Sequence, residues 1–167
     1  ALGYSLQSGI HIGTAFVKNG YVGRTFIKPK QSSRESSVRV KLNVLREAVE
    51  GKRVIMIDDS IVRGTTSDRI VHMLREAGAK EVHMRVSSPP FLWPCYFGTD
   101  VPAREQLIAY NRTVEEIRQV IGADSLGYLD CSRLRQMAGD LPICTGCFTG
   151  NYPLDPPMED IRGEFEQ

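Results

Sequence analysis

The chain of 167 residues is long enough for one domain with a substantial core, and not obviously for two. Its 21 basic and 20 acidic residues nearly balance, so charge gives no reason to expect nucleic acid or a membrane as a partner. No apolar stretch approaches the ~20 residues of a membrane span, and four unevenly spaced cysteines favour a reducing cytoplasm. The chain begins without an initiator methionine or a signal-peptide pattern, and we expect it to start within an element.

The first 50 residues predict short elements around a basic segment. A helix is predicted to end within residues 1–12, with Tyr4, Leu6 and Ile10 on its buried side. A strand is predicted at 14–17 and a helix at 42–49. Residues 21–46 contain only one acid, Glu35, against Arg24, Lys28, Lys30, Arg34, Arg39, Lys41 and Arg46. We interpret this segment as a mobile flap over a polyanionic ligand, and a solvated surface loop is the alternative.

Residues 53–66 read R-V-I-M-I-D-D-S-I-V-R-G-T-T and are the most informative stretch. The apolar run 54–57 predicts a strand buried on both faces, and Asp58 and Asp59 follow at its carboxyl end, where open α/β sheets bind ligands. The turn after them leads into a helix, whose free N–H groups suit a phosphate. The two carboxylates suit sugar hydroxyls or a magnesium ion holding a polyphosphate. The stretch predicts a site for a phosphorylated sugar, although such acids can also serve only as helix caps.

The rest of the chain alternates helices and strands. A strand–helix–strand unit follows from the helical spacing of Ile70, Met73 and Leu74 and the alternation of Val82, Met84 and Val86. Further elements are predicted at 102–110 (helix), 113–122 (helix opened by a capping box), 126–129 (strand) and 132–137 (helix). The tail from Tyr152 is predicted to be loosely ordered.

The run D-D-S-I-V-R-G-T-T resembles the fingerprint of type I phosphoribosyltransferases, which bind phosphoribosyl pyrophosphate (PRPP), and most closely that of the glutamine PRPP amidotransferases. Y-V-G-R-T-F-I and V-R-V-K-L-N resemble that family's flexible loop. The resemblance implies an α/β fold with a mainly parallel twisted sheet flanked by helices, truncated at its N-terminus, and an irregular helical C-terminal segment. It implies a partial core at 1–90 with the flexible loop at 21–46, a hood and cluster-binding segment at 91–150 and a tail at 151–167.

The resemblance also implies a reaction, in which glutamine-derived ammonia attacks C1 of PRPP and pyrophosphate leaves, the first committed step of purine synthesis. The implied PRPP-binding residues are Asp58, Asp59, Ser60, Arg63, Gly64, Thr65 and Thr66, with Mg²⁺ on the two acids. Arg24 and Lys41 on the flap are implied as catalytic, and Lys18 as a contact for inhibitory purine nucleotides. Val62 stands where base-salvage relatives commonly carry an acid, which favours ammonia over a purine base.

The cysteines form a second constellation. Cys144-Thr145-Gly146-Cys147 is by spacing compatible with zinc, a redox pair or a cluster. P-C-Y-F-G-T-D and C-T-G-C-F-T-G-N-Y-P resemble the cluster-binding segments of Bacillus-type amidotransferases. The resemblance implies a structural [4Fe–4S] cluster on Cys95, Cys144 and Cys147, with a fourth ligand upstream of Ala1. Cys131 matches no family ligand and is interpreted as a packing residue, with a fourth ligand of a four-cysteine site as the alternative. Zinc is the alternative metal.

Parts of the family pattern are missing from these residues: the glutaminase domain with its N-terminal cysteine, and the pyrophosphate loop. The resemblance implies that this portion binds PRPP poorly and is inactive alone, and that the full-length enzyme is a homo-oligomer, a tetramer. Two other functions stay open. One is base salvage, and the other is a PRPP-sensing regulator that binds nucleic acid through the basic flap.

Overall fold

The computed structural model describes residues 1–18, 42–98 and 103–155, and these form a three-stranded sheet, a separate pair of strands and flanking helices. The strands are β1 (Phe16–Lys18), β2 (Leu42–Val44), β3 (Arg53–Asp58), β4 (Glu81–Val86) and β5 (Ser125–Tyr128). The helices are α1 (Leu2–Ser8), α2 (Arg46–Val49), α3 (Thr65–Glu76), α4 (Val114–Val120), α5 (Cys131–Ala138) and α6 (Gly146–Thr149), with a 3₁₀ turn at Arg104–Gln106.

The main sheet is parallel, in the order β3-β4-β5. In β4 the predicted alternation is confirmed, because Val82, Met84 and Val86 are buried while their neighbours are half-buried. The strand predicted at 54–57 is present as β3, but its predicted burial on both faces was wrong, since residues 54–57 are only half-buried. The physical reason is position: β3 is an edge strand among the described residues, and an edge strand has fewer neighbours to cover it.

Helix α3 follows from its apolar spacing. Ile70, Val71 and Leu74 are buried together with Ser67, so one stripe of the helix is turned to the core. The helix ends where Gly78 takes a φ of +93°, as predicted for its C-terminal stop. The strand–helix–strand unit β3-α3-β4 is therefore present as the sequence predicted.

The beginning of the chain differs from the prediction. Tyr4, Leu6 and Ile10 are 38%, 78% and 48% exposed, and α1 contains no buried residue, so their assignment to a buried side was wrong. Residues 42–44 form a strand rather than the start of a helix, because they pair antiparallel with β1. Only α2 of the predicted helix 42–49 is helical.

Two later predictions had different outcomes. The capping box at Thr113 is confirmed, since its Oγ1 accepts from Glu116 N at 3.2 Å and Glu116 Oε2 accepts from Thr113 N at 2.7 Å. The helix predicted at 102–110 is absent from the described residues 103–110, which form the short 3₁₀ turn and a second turn. The consecutive apolar residues Leu107, Ile108 and Ala109 are all buried, which no single helix face could achieve.

The described chain divides into two compact units. The first comprises the described residues of Ala1–Ile57, Thr65–Met84 and Ile121–Ser125, and the second those of Asp58–Gly64, Arg85–Val120 and Leu126–Gln167. Their buried apolar residues are Val49, Ile70, Val71, Leu74, Val82, Met84, Ile121 and Ala123 in the first, and Ile61, Val86, Phe91, Leu107, Ile108, Ala109 and Ile117 in the second. The domain boundaries suggested by the sequence stay a prediction. Within the described ranges, no helix is long and apolar enough to cross a membrane.

Candidate phosphoribosyl site and cysteine segment

The two predicted acids lie where β3 ends. The carbonyl oxygen of Asp58, the last residue of the strand, accepts from Ser87 N at 2.9 Å, which anchors the strand end. Asp58 Oδ1 accepts from Asp59 N at 3.0 Å, and Asp59 Oδ1 accepts from Ser60 Oγ at 3.1 Å. The Asp58 side chain is half-buried and that of Asp59 is exposed, so the pair offers one sheltered and one open carboxylate.

The electrostatics of the pair are unequal. Burial raises the pKa of Asp58 above its ordinary value of 3.8, the hydrogen bond from the Asp59 amide opposes this, and the negative charge of Asp59 adds to it. A cation or hydroxyl donor at Asp58 would offset the cost of keeping its carboxylate charged there. The site is therefore suited to a ligand that brings positive charge or hydrogen-bond donors.

The loop 58–64 rests on Ile108. Gly64 has a φ of +82°, and a Cβ on it would overlap Ile108 Cδ1, so both conformation and space require glycine. The amide of Ile108 donates to the Val62 carbonyl at 2.8 Å. The Val62 side chain packs on the cluster of Phe91 and Leu107. These contacts hold the loop against Ile108 and the apolar cluster.

The backbone amides of residues 60–64 in the loop are not used as donors to any backbone carbonyl of the described residues. Arg63 is exposed, and so are Thr65 and Thr66, the first residues of α3 in the first unit. A helix of this length has unpaired N–H groups in its first turn. The amide hydrogens that the phosphate prediction requires are thus available, apart from that of Asp59.

Sequence reasoning missed Leu107 and Ile108, which support the loop. The segment was predicted as a helix, and that assignment concealed their role. The signal was the run Leu107-Ile108-Ala109, because three adjacent apolar residues cannot share one face of a surface helix.

Several predicted residues cannot be placed. Arg24 and Lys41 lie outside the described residues, as does the side chain of Lys18, whose backbone ends β1. Two cavities of the described chain, of about 260 and 400 Å³, contain neither Asp58 nor Asp59 in their linings.

The cysteine segment has a different character. Cys95 and Cys147 are half-buried against the apolar cluster of Phe91 and Leu107, while Cys144 is exposed. Burial and the neighbouring thiols, first that of Cys95, raise the pKa of Cys147 to about 11. Among the described residues no three His, Cys, Asp or Glu side chains are arranged to hold a single metal ion. Cys95 and Cys147 thus pack against one apolar cluster, and the described side chains do not form a site for a single ion.

Comparison with known proteins gives a consistent result. The chain is 54% identical to the amidophosphoribosyltransferase of Archaeoglobus fulgidus over 166 residues, which cover 97% of the chain and 36% of that protein. It is 53% identical to the Bacillus subtilis amidophosphoribosyltransferase over 161 residues, 93% of the chain and 34% of the relative. The chain matches part of an amidophosphoribosyltransferase. No family model matches.

Solved structures agree with this assignment. The B. subtilis glutamine PRPP amidotransferase complexed with ADP and GMP superposes with a TM-score of 0.81 at 52% identity, over 95% of this chain and 36% of that one. The fold is therefore the α/β fold of a type I phosphoribosyltransferase, as the sequence predicted. The chain spans about a third of the length of the amidophosphoribosyltransferases that it matches.

Proposed function

We propose that this chain provides the PRPP-binding part of an enzyme that transfers glutamine-derived ammonia to C1 of PRPP and releases pyrophosphate. The observation that carries the proposal is the loop 58–64, with two carboxylates at a strand end and unpaired amides behind them. The names of the relatives support the same reaction. The product would be 5-phosphoribosylamine, the first committed intermediate of purine synthesis.

In this proposal the loop holds the sugar from one side. Asp58 and Asp59 accept hydrogen bonds from the two ring hydroxyls, while the amides that follow them and the hydroxyls of Thr65 and Thr66 donate to the 5-phosphate. C1 stays accessible to the attacking ammonia. As pyrophosphate departs, positive charge develops on the ring, and the two carboxylates stabilise it electrostatically.

Magnesium is proposed at the same acids. Their oxygens are the ligands that Mg²⁺ prefers, and the raised pKa of Asp58 indicates a carboxylate that a cation would stabilise. The metal would supply charge neutralisation for the pyrophosphate. Ser60 and Arg63 complete the polar rim of the loop, while Gly64 allows the loop to pack closely on Ile108.

The packing of Val62 favours ammonia as the acceptor. Its side chain lies against Phe91 and Leu107, so an acid at this position would place a carboxylate against an apolar cluster. A purine acceptor would need a group that handles a ring-nitrogen proton, and Val62 offers none. Base salvage is disfavoured for that reason.

Residues outside the described ranges have roles in the proposal as well. Arg24 and Lys41 would close over PRPP, exclude water and neutralise the departing pyrophosphate. Lys18 would contact an inhibitory purine nucleotide, and the binding of ADP and GMP by a solved relative supports nucleotide regulation. The glutaminase activity would come from a part of the protein beyond these residues. We also propose a cytoplasmic homo-oligomer, although some relatives are named chloroplastic.

The cysteine segment is proposed to hold a [4Fe–4S] cluster through Cys95, Cys144 and Cys147, with a fourth ligand outside this chain. The donor set fits, because thiolates are the ligands of such clusters, Cys95 and Cys147 pack against the same apolar cluster, and Cys144 lies three positions before Cys147. The ligands of a cluster bond to different irons, so they need not surround one point. The cluster would supply structural cross-linking of the segments that carry the cysteines.

The test is ammonia-dependent formation of phosphoribosylamine by the protein at its natural length. Replacing Asp58 and Asp59 by Asn should lower kcat/KM by about 10²–10³-fold, the scale of losing a preorganised electrostatic contact. Asp155→Asn, at an exposed acid remote in sequence, is the matched control. Turnover with a purine base in place of ammonia, or undiminished turnover in the double variant, would contradict the proposal.

A further inference from the structure

The two cysteine-bearing segments, 91–97 and 144–152, are joined by contacts that involve no sulfur. The amides of Leu92 and Trp93 both donate to the Cys147 carbonyl, each at 3.0 Å. Tyr152 Oη donates to the Pro94 carbonyl at 2.7 Å. These bonds tie the backbone immediately before Cys95 to the segment around Cys147.

Aromatic rings close the same junction. Phe91 packs on Phe148 with ring centroids 4.9 Å apart. The Tyr152 ring lies edge-on to that of Tyr96 at 5.3 Å and contacts Phe97 at 6.0 Å. Such pairs stabilise a junction beyond the area that they bury.

Two glycines allow this close approach. A Cβ on Gly146 would overlap the ring of Tyr152. Gly150, which ends α6 with a φ of +78°, lies against the Trp93 indole, and its Cβ would come within 2.9 Å of Trp93 Cε2. A side chain at either position would push the segments apart.

Arg104 braces the junction. Its guanidinium carbon lies 3.5 Å from the centroid of the Trp93 ring and 4.8 Å from that of Tyr110. Its Nε donates to the Leu92 carbonyl at 3.0 Å. The planar guanidinium therefore holds both the ring and the backbone of the segment that contacts Cys147.

We propose that Trp93, Arg104, Gly150 and Tyr152, here called the clasp, are positioning residues that hold Cys95 beside Cys147 before any metal is present. The clasp extends the proposed cluster site by adding residues that position its ligands. It rests on the cluster proposal only for the iron measurement below. Preorganised thiols would meet an incoming cluster without the entropy cost of gathering two segments, and would retain it longer.

The primary experiment uses metal-free, reduced protein at its natural length. Dibromobimane becomes fluorescent when it bridges two neighbouring thiols, and peptide mapping identifies the pair. In a Cys131→Ser, Cys144→Ser background we expect a Cys95–Cys147 bridge. Gly150→Ala and Tyr152→Phe should each lower its yield about fivefold, as expected from steric overlap and from a lost hydrogen bond.

Matched controls separate positioning from general destabilisation. Gly9 ends α1 with a φ of +73°, nearly that of Gly150, but a Cβ there meets no described atom within 4 Å. Gly9→Ala therefore imposes the same backbone strain without the clash, and Tyr4→Phe removes a hydroxyl from an exposed ring. Both should keep the wild-type bridging yield. Equal yields in Gly150→Ala and wild type, or equal losses in Gly150→Ala and Gly9→Ala, would overturn the clasp.

A second measurement uses protein isolated without oxygen. In the presence of an iron chelator, clasp variants should lose their absorbance near 400 nm about fivefold faster than wild type. Arg104→Lys keeps the charge but not the planar stacking on Trp93, so it should lose the absorbance as fast as Arg104→Met. If wild-type protein binds no iron yet shows the bimane bridge, the cluster proposal fails and the clasp stands. If iron binds but no bridge forms in the metal-free protein, the clasp fails and the cluster proposal stands.

Discussion

The acidic loop 58–64 and the junction between segments 91–97 and 144–152 differ in how they use their polar groups. In the loop, Asp59 is exposed and the amides of residues 60–64 donate to no described backbone carbonyl. In the junction, the amides of Leu92 and Trp93 and the Tyr152 hydroxyl donate to carbonyl oxygens of the protein. The loop thus leaves hydrogen-bonding groups available to a ligand, whereas the junction pairs such groups within the protein.

This difference explains why the two regions read so differently in sequence. The loop is contiguous, so its strand, acids and turn residues appear side by side. The clasp joins Tyr152 to Pro94, 58 positions away, through contacts that no local pattern records. An open polar surface is therefore visible in the sequence, whereas a self-paired junction is visible only in the fold.

The largest predicted effect comes from a substitution at Gly64, where the loop packs on Ile108. Gly64→Ala should lower the free energy of unfolding by about 3 kcal/mol, because a Cβ would overlap Ile108 and the left-handed backbone disfavours alanine. Gly9→Ala, with similar φ and no nearby atoms, should cost about 1 kcal/mol. Urea denaturation measures both, and equal losses would mean that Ile108 does not support the loop.

The hydrogen bonds of Asp124 with Val82 and Arg75 lie outside both regions and join residues far apart in sequence. They indicate how much such a contact contributes to the free energy of unfolding. Asp124 Oδ2 accepts from Val82 N at 2.6 Å and from Arg75 at 2.9 Å. The bond from Val82, and then the Arg75 charge, keep the pKa of Asp124 below its ordinary value of 3.8. Discounted for the exposure of the pair, Asp124→Ala should cost about 1 kcal/mol at neutral pH, measured by urea denaturation.

The pH dependence of that link has a definite sign. Because the folded pKa is lowered, the stabilisation is present above the ordinary value and is lost as pH falls through the lowered one. Asp140→Ala, at an exposed acid, is the control. A difference between wild type and Asp124→Ala that grows on acidification would contradict the assignment.

A smaller effect is expected on the pH dependence of PRPP affinity, because Asp58 has a raised pKa. Since the Asp58 pKa is raised, PRPP affinity should fall on acidification at a higher pH than an ordinary aspartate would give. Asp59→Asn removes the neighbouring charge that adds to this rise in pKa, so the midpoint should move to lower pH. Titration calorimetry from neutral to acidic pH measures it. A midpoint that rises, or does not move, would show that Asp59 does not act on Asp58.

The smallest effect concerns Tyr128, whose buried hydroxyl has no hydrogen-bond partner among the described residues. Burial raises its pKa to about 12. Removing an unsatisfied group leaves no partner behind, so Tyr128→Phe should change the free energy of unfolding by less than about 0.5 kcal/mol, or increase it. A loss above 1 kcal/mol in urea denaturation would indicate a hidden partner.

Much of the fold was predictable because it depends on local patterns. The α3 stripe, the alternation in β4 and the capping box at Thr113 all follow from spacing within a few residues. The errors arose where tertiary pairing decides: residues 42–44 are a strand because β1 pairs with them.

The same distinction holds for the site. Asp58 and Asp59 could be proposed from the sequence because the strand and the turn are adjacent in it. Ile108 was missed because its contact with Gly64 depends on two segments more than 40 positions apart. The clasp was missed for the same reason, although each of its aromatic residues was visible.

The most direct test is the binding of Mg²⁺–PRPP, measured by calorimetry on the protein at its natural length, with iron content determined on the same samples. Asp58→Asn with Asp59→Asn should abolish measurable PRPP binding and leave the iron content unchanged. Retention of wild-type PRPP affinity in that double variant would contradict the claim that these two carboxylates hold the ribose.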